Sequence, residues 1–177
     1  MNPLTPVQQK FILNWGKMGT QWGINRTVAQ IHALLYISPK AINAEEISET
    51  LSVARSNVST SLRELEGWGI IKVVHVLGDR RDHYESVKDV WEMFRTVLDE
   101  RKKREIDPTL EMLRECMAEA EANKAKDPHT AERLAGMLEF FETMTGWYQH
   151  IRQLPTKGVI KFVKTGDKIL KLLGVGS

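Results

Sequence analysis

The sequence predicts a mainly α-helical protein with a small β-wing, a winged helix-turn-helix followed by long dimerisation helices. Three observations carry that expectation. Residues 43–85 run helix, three-residue turn, helix, hairpin, the order a winged helix needs. Beyond residue 88 the apolar spacing becomes helical and remains so. With 177 residues and a net charge of +2, the chain has room for one small domain with helical extensions.

In chain order, Pro6–Gln21 places Phe11, Ile12, Trp15, Met18 and Trp22 on one helical stripe, with Gly16, Gly19 and Gly23 beside it. A helical glycine costs about 1 kcal/mol relative to alanine. These glycines therefore point to close approach of another helix or to a pocket floor, with loose packing as the plainer alternative. Residues 27–36 offer Val28, Ile31, Leu34 and Leu35 to a second core helix, stopped by Ser38-Pro39. Asn43 and Glu46 have capping-box spacing for Ala44–Leu51, whose Ile47 and Leu51 face the core.

After the turn Ser52-Val53-Ala54, a helix over residues 55–68 has Val58, Leu62 and Leu65 at i, i+4, i+7. Ser56, Asn57, Thr60 and Arg63 fall on its wet face. Short polar side chains and an arginine are the types that read base edges in a major groove, and Ser59 and Arg55 add groups able to meet phosphates. A merely solvated face is the plainer reading. Against it stands the crowding of mediocre helix formers at the start of an exposed helix. Strands at residues 70–76 and Asp82–Ser86 flank the loop 77–81, where Gly78 supports a tight turn and Arg80 and Arg81 occupy the tip. The candidate DNA-binding residues are therefore Arg55, Ser56, Asn57, Ser59, Thr60, Arg63, Arg80 and Arg81.

A helix over residues 88–105 carries Val90, Trp91, Phe94, Val97 and Leu98 on one face. Its closing Arg101-Lys102-Lys103-Arg104 suits the negative end of a helix dipole. Asp107-Pro108 reads as a cap followed by proline at the first helical position, with Leu110, Leu113 and Met117 inward, and Asp127-Pro128 repeats the device. The helix that follows, to residue 153, has two apolar stripes, Ala131/Leu134/Leu138/Phe141/Tyr148 and Met137/Phe140/Met144/Trp147/Ile151. A helix apolar on two sides needs two partners, its own subunit and a second copy. Residues 158–173 form a last amphipathic helix, with Val159, Phe162, Val163, Ile169, Leu170 and Leu173 against Lys157, Lys161, Lys164, Lys168 and Lys171. A solvated lysine face over a docked apolar one is preferred here to a membrane-surface helix.

The run Leu62-Arg63-Glu64-Leu65-Glu66-Gly67-Trp68-Gly69-Ile70-Ile71, then Gly78-Asp79-Arg80-Arg81-Asp82-His83-Tyr84-Glu85, resembles the GbsR-type branch of the MarR transcriptional regulators. So does Arg104-Glu105-Ile106-Asp107-Pro108, and the likeness spans residues 11–121. It implies a dimeric cytoplasmic repressor or activator that binds double-stranded DNA, in a family where some members are tied to choline and glycine betaine metabolism. One departure is Ala54, where such regulators often carry a capping Ser; losing that cap costs about 1 kcal/mol. The resemblance also implies a small effector in some members. A choline-like cation needs a cage of rings, and Trp15, Trp22 and Trp91 are the candidates for it.

Chemistry of other kinds finds no motif. There is no phosphate-binding glycine loop, no paired-cysteine zinc spacing and no nucleophile elbow, so neither an enzyme nor a cofactor is expected. His75 and His83 with Asp82 make an incomplete metal site lacking a third fixed ligand, and no metal is expected. Cys116 is the single cysteine, a small core or near-core residue in a reducing compartment. No leader and no 18-residue apolar run is seen, so a soluble, cytoplasmic chain without a membrane partner is expected. Residues 1–87, with nine basic against eight acidic side chains, are read as the DNA-binding domain and residues 88–177 as the dimerisation and regulatory region. The expected function is a homodimeric regulator, of repressor type, that recognises a pseudo-palindromic operator. The near-neutral charge keeps open the alternative of a winged helix that mediates protein interaction and has no operator.

Overall fold

Eight helices and three short strands make up the computed structural model, which describes residues 3–122 and 127–165. The chain divides into two units, residues 1–97 and 98–177. The first contains α1 (Pro6–Gln21), α2 (Arg26–Ile37), β1 (Ile42–Asn43), α3 (Ala44–Leu51), α4 (Arg55–Gly67), β2 (Ile71–His75), β3 (Asp82–Ser86) and the start of α5 (Val90–Arg101). The strands form one antiparallel sheet in the order β1-β3-β2, with Tyr84 opposite Ile42 on one side and opposite Val73 on the other. β1, two residues long, is too short to show a period of two, and no spacing signal marks it.

Local chemistry accounts for the helix starts. Thr5 and Gln8 close a capping box on α1, Asn25 caps α2, and Asn43 with Glu46 closes the expected box on α3. Asp89 caps α5, its Oδ1 accepting from the Trp91 and Glu92 amides at 2.8 and 3.0 Å. The glycines of α1 mark close helix approach. A Cβ on Gly19 would lie 2.5 Å from the Ala29 Cβ, and one on Gly16 would lie 2.6 Å from the Gln30 Cγ. Gly23 supplies the positive φ, +75°, that turns the chain from α1 toward α2.

The core of this unit forms around α2, where Ile31, Ala33, Leu34 and Leu35 are fully enclosed, and takes in Ile12, Ile42, Ile47, Val58, Leu62 and Leu65. Polar contacts join α2 to the chain around the end of β3 at two points. The His32 Nε2 lies 3.2 Å from the Ser86 Oγ, which joins α2 to β3. The Lys88 ammonium donates to the carbonyls of Leu35, Tyr36 and Ser38 at 2.9, 2.8 and 3.1 Å, meeting the last turn of α2. A cation there satisfies orphan carbonyls and complements the negative helix end.

The second unit contains α6 (Asp107–Ala122), α7 (Pro128–Gln153) and α8 (Thr156–Lys164). The expected cap at Asp107 is overturned. Asp107 is itself helical, at φ −61° and ψ −45°, and α5 is continued by a π-helical turn, Lys102–Ile106. Pro108 has no N–H for the carbonyl four residues back and its ring crowds that carbonyl. The wider turn relieves the clash, with the Asp107 amide donating to the Lys102 carbonyl five residues back. The Lys102 ammonium pairs with the Asp107 carboxylate. At Asp127-Pro128 the expectation holds, the Asp127 carboxylate accepting from the Thr130 amide at 3.0 Å.

Helix α7 packs on α6, with an Arg114–Glu142 ion pair at 2.9 Å. Its first stripe turns inward, with Ala131 buried and Leu134, Leu138, Phe141 and Tyr148 half-buried. The second stripe faces out: Met137, Phe140, Met144 and Trp147 are 53%, 60%, 47% and 52% exposed. Helix α8 starts at Thr156, two residues before the expected start, and residues 166–173 of the expected lysine-striped helix lie outside the described residues.

Burial, helped by the nearby Lys88 cation, holds the His32 imidazole at about 4 instead of 6.5. The unfolded chain therefore takes up a proton near pH 6.5 that the fold refuses until about pH 4. The stability from this group is complete above about pH 6.5 and declines as pH falls toward 4, by about 3 kcal/mol at the limit. We expect His32→Gln to lose less stability than wild type between about pH 7 and pH 4.5 in urea unfolding. Equal losses in the two proteins would show that His32 is not the source.

Candidate nucleic-acid interface

The turn between α3 and α4 is fixed from both sides. Ser52 takes the left-handed conformation at φ 53°. The Val53 amide donates to the Ser48 carbonyl at 3.1 Å, and the Ser48 hydroxyl donates to the Val53 carbonyl at 2.6 Å. Helix α4 then leaves with Val58, Ser61, Leu62 and Leu65 buried. Arg55, Ser56, Asn57, Thr60 and Arg63 are exposed on one side and Ser59 is half-buried. This is the division that the sequence predicts.

Their chemistry divides further. The Arg55 Nη1 donates to the Ser59 Oγ at 2.5 Å, so these two restrain each other along the helix. Ala54 gives α4 no side-chain cap. Asn57 and Arg63 have no hydrogen-bond or ion-pair partner among the described residues and point their donors at solvent.

At the wing the two arginines part company. Gly78 turns the loop at φ +85°. The Asp79 carboxylate accepts from the Arg81 Nε at 2.9 Å, from its Nη2 at 2.6 Å and from its backbone amide at 3.0 Å. The Arg81 Nη1 reaches across to the Glu45 Oε2 on α3 at 2.8 Å. The Arg81 side-chain and backbone hydrogen bonds hold the Asp79 carboxyl well below the usual carboxylate range. Arg81 thus ties the wing loop to the first turn of α3. Arg80 is exposed without such a partner among the described residues. The Arg81–Glu45 link spans 36 positions, and local spacing carries no signal for it.

The histidines of the hairpin do not converge. His83 is buried opposite Val74, whereas His75 is exposed opposite Asp82, so adjacent register positions send the two rings to different faces. Among the described residues no three His, Cys, Asp or Glu side chains gather where they could hold a metal ion.

The tryptophans expected to form a cage are only partly brought together. Trp15 and Trp22 line one cavity of the first unit, but its third indole is Trp68, not Trp91. On α5 the lining residues are Val90, Met93, Phe94 and Val97, one stripe at i, i+3, i+4 and i+7, and Trp91 lies off that stripe.

A helix-turn-helix whose second helix shows polar side chains, closed by an antiparallel hairpin and a short third strand, defines a winged helix-turn-helix. Residues 22–82 match the model of the MarR family. Over 154 residues the chain is 20% identical to the HTH-type transcriptional repressor GbsR of Bacillus subtilis (strain 168), covering 83% of this chain and 85% of that one. YvaV of the same organism is 27% identical over 99 residues, which cover 54% of this chain and 56% of YvaV. A solved transcriptional regulator superposes with a TM-score of 0.61 at 19% identity, over 83% of this chain and 96% of that one, which shows the shared fold. Among the described residues no helix is long and apolar enough to cross a membrane.

The two wing arginines should separate experimentally. Arg81→Ala is expected to speed amide hydrogen exchange across the loop 77–81 severalfold, and Arg80→Ala to leave it at the wild-type rate. Equal exchange in the two variants would show that the Asp79–Arg81–Glu45 link does not hold the wing.

Proposed function

We propose that the protein is a homodimeric transcriptional regulator, of repressor type, that recognises a pseudo-palindromic operator through α4 and the wing. The observation that carries this reading is the pair of unpartnered readers, Asn57 and Arg63, on the exposed side of a helix whose entry turn is held by Ser48 and Val53. Arg63 suits the O6 and N7 of guanine, and Asn57 suits the N6 and N7 of adenine. Ser56, Thr60 and the coupled Arg55–Ser59 pair supply backbone contacts. Arg80 reaches for the minor groove, and Arg81 enters the reading as the residue that holds the wing in place. The relatives named as regulators support the same class.

Dimerisation belongs to this proposal. Residues 1–87 form the DNA-binding part and residues 88–177 the pairing part. The outward stripe of α7 runs Met137, Phe140, Met144 and Trp147, one continuous apolar face for which water is a poor partner. A second copy of the same helix is the occupant we favour, because two recognition helices related by a two-fold axis match the two halves of a pseudo-palindrome. A small effector acting on the first unit completes the reading.

Two experiments test it. Arg63→Ala and Asn57→Ala should each cost about 1–3 kcal/mol on a selected operator. On random duplex Asn57→Ala should stay close to wild type, and Arg80→Ala should reduce the salt slope by about 1. Equal losses on operator and random DNA would remove Arg63 and Asn57 as base readers. In sedimentation the wild type should be a dimer at micromolar concentration, and Phe140→Asp combined with Met144→Asp should be a folded monomer. A monomeric wild type would refute the dimer.

A further inference from the structure

The wing loop carries more than its arginines. Leu77 is the most exposed large apolar side chain among the described residues, and its neighbour Val76 is exposed as well. One apolar side chain on a surface is ordinary. What sets Leu77 apart is its place in the hairpin. The Asp79 amide donates to the Val76 carbonyl at 3.0 Å and Gly78 takes φ +85°, which makes residues 76–79 a type II turn with Leu77 at its first corner. The last strand pair below the loop is His75 with Asp82, so this turn is the far end of the wing. The sheet runs β1-β3-β2, which leaves β2 at an edge, and the limb of the loop tied to α3 is the other one, through Arg81. Leu77 thus projects from the outer limb, three positions from Arg80.

We propose that Leu77 is an apolar wedge for the minor groove of the operator, and that its entry bends the DNA. The inference rests on DNA recognition by the wing, as proposed above, and deepens it. A loop that carries Arg80 into a minor groove carries Leu77 to the same groove, because both belong to one short loop held by the β2–β3 pairing and the Asp79–Arg81–Glu45 link. All of the leucine side chain stands in water in the free protein and is available for burial on binding.

The two side chains suit different parts of that groove. Phosphates at its rim call for a cation, whereas base edges and sugars inside it offer carbon to a leucine. At about 6 Å wide the groove does not admit a branched side chain without opening. Leucine is among the side chains that enter a base step from this side, partly unstack it and kink the duplex by about 20–90°. Pyrimidine–purine steps yield most easily to such a kink. Leu77 therefore gives the wing a sequence preference that Arg80 does not supply, expressed through deformability and not through a hydrogen bond.

Bending of a selected operator, read as energy transfer between dyes on the two duplex ends, tests the wedge on the full chain. The wild type should bend the operator, and Leu77→Ala should lose at least half of the change in transfer and bind about fivefold or more weakly. Leu77→Met, which keeps a long apolar side chain, should retain both. A 2-aminopurine placed in turn at each step flanking the bases read by α4 should brighten at one of them with saturating wild type and stay dark there with saturating Leu77→Ala. On random duplex the salt slope of Leu77→Ala should match wild type, because no charge is removed, and this separates Leu77 from Arg80. An unbent operator in the wild-type complex, or an equal bend and equal 2-aminopurine signal with Leu77→Ala, overturns the wedge and leaves recognition by α4 in place. A wild type that selects no operator overturns the regulatory reading itself, and the wedge falls with it.

Discussion

Ile31, Ala33, Leu34 and Leu35 occupy successive sides of α2, and all four are enclosed. A helix buried on so many sides must be covered from several directions. Here α1, α3, α4 and β3 all pack on it. Coverage from α1 depends on Gly16 and Gly19, because a methyl group at either position would collide with a side chain of α2. Coverage from β3 depends on satisfying what α2 buries with it. Its imidazole meets Ser86, and its terminal carbonyls meet the Lys88 ammonium. Both partners come from the chain that leaves the wing. The burial of α2 therefore fixes where the recognition helix and the hairpin sit, and an unpaired donor or acceptor in this core would carry a large desolvation cost.

The wing is held at its opposite end by charge instead of packing. Leu77 is fully exposed at the tip and the loop has almost no apolar cover. In place of a core it has the Asp79–Arg81–Glu45 link. Exposed ion pairs contribute little individually, but this one is bidentate toward Asp79 and joins two elements that must keep a fixed relation. Its value is geometric: an arginine held between two carboxylates ties the wing loop to the first turn of α3. The link also limits the charge available for any other use, since the positive charge of Arg81 is neutralised within the fold.

Most of the first unit was legible because its signals are local. Asn43 with Glu46, the period of Val58, Leu62 and Leu65, and the glycine-arginine loop all act within a few residues, and the observed α1 and α3 begin and end where those signals place them. The failures come from interactions that sequence spacing does not encode. Asp107-Pro108 and Asp127-Pro128 are the same dipeptide, yet only in the second does the aspartate cap its helix from outside it. The first follows a helix already under way, which absorbed the proline by widening one turn. Residue type groups Trp91 with Trp15 and Trp22, whereas membership of the cavity follows the stripe of α5, and Trp68 enters it from the end of α4. Lys88 gave no hint of its role, because the carbonyls it meets lie some fifty positions earlier.

The charge balance of the first unit bears on the proposed pairing of two copies. The first 87 residues have one more basic than acidic side chain, so attraction to a phosphate backbone cannot come from a general field and depends on placement. Arg55 is engaged with Ser59 and Arg81 with two carboxylates. That leaves Arg63 and Arg80 as the arginines of α4 and the wing without partners among the described residues. Two such arginines make a small electrostatic footprint for one protomer, because non-specific affinity scales with the number of phosphates neutralised. Pairing two protomers doubles the footprint and makes the second engagement effectively intramolecular. Under the proposed dimer, the outward apolar stripe on α7 and the weakly charged reading head complement each other, because affinity that one protomer lacks would come from the pair.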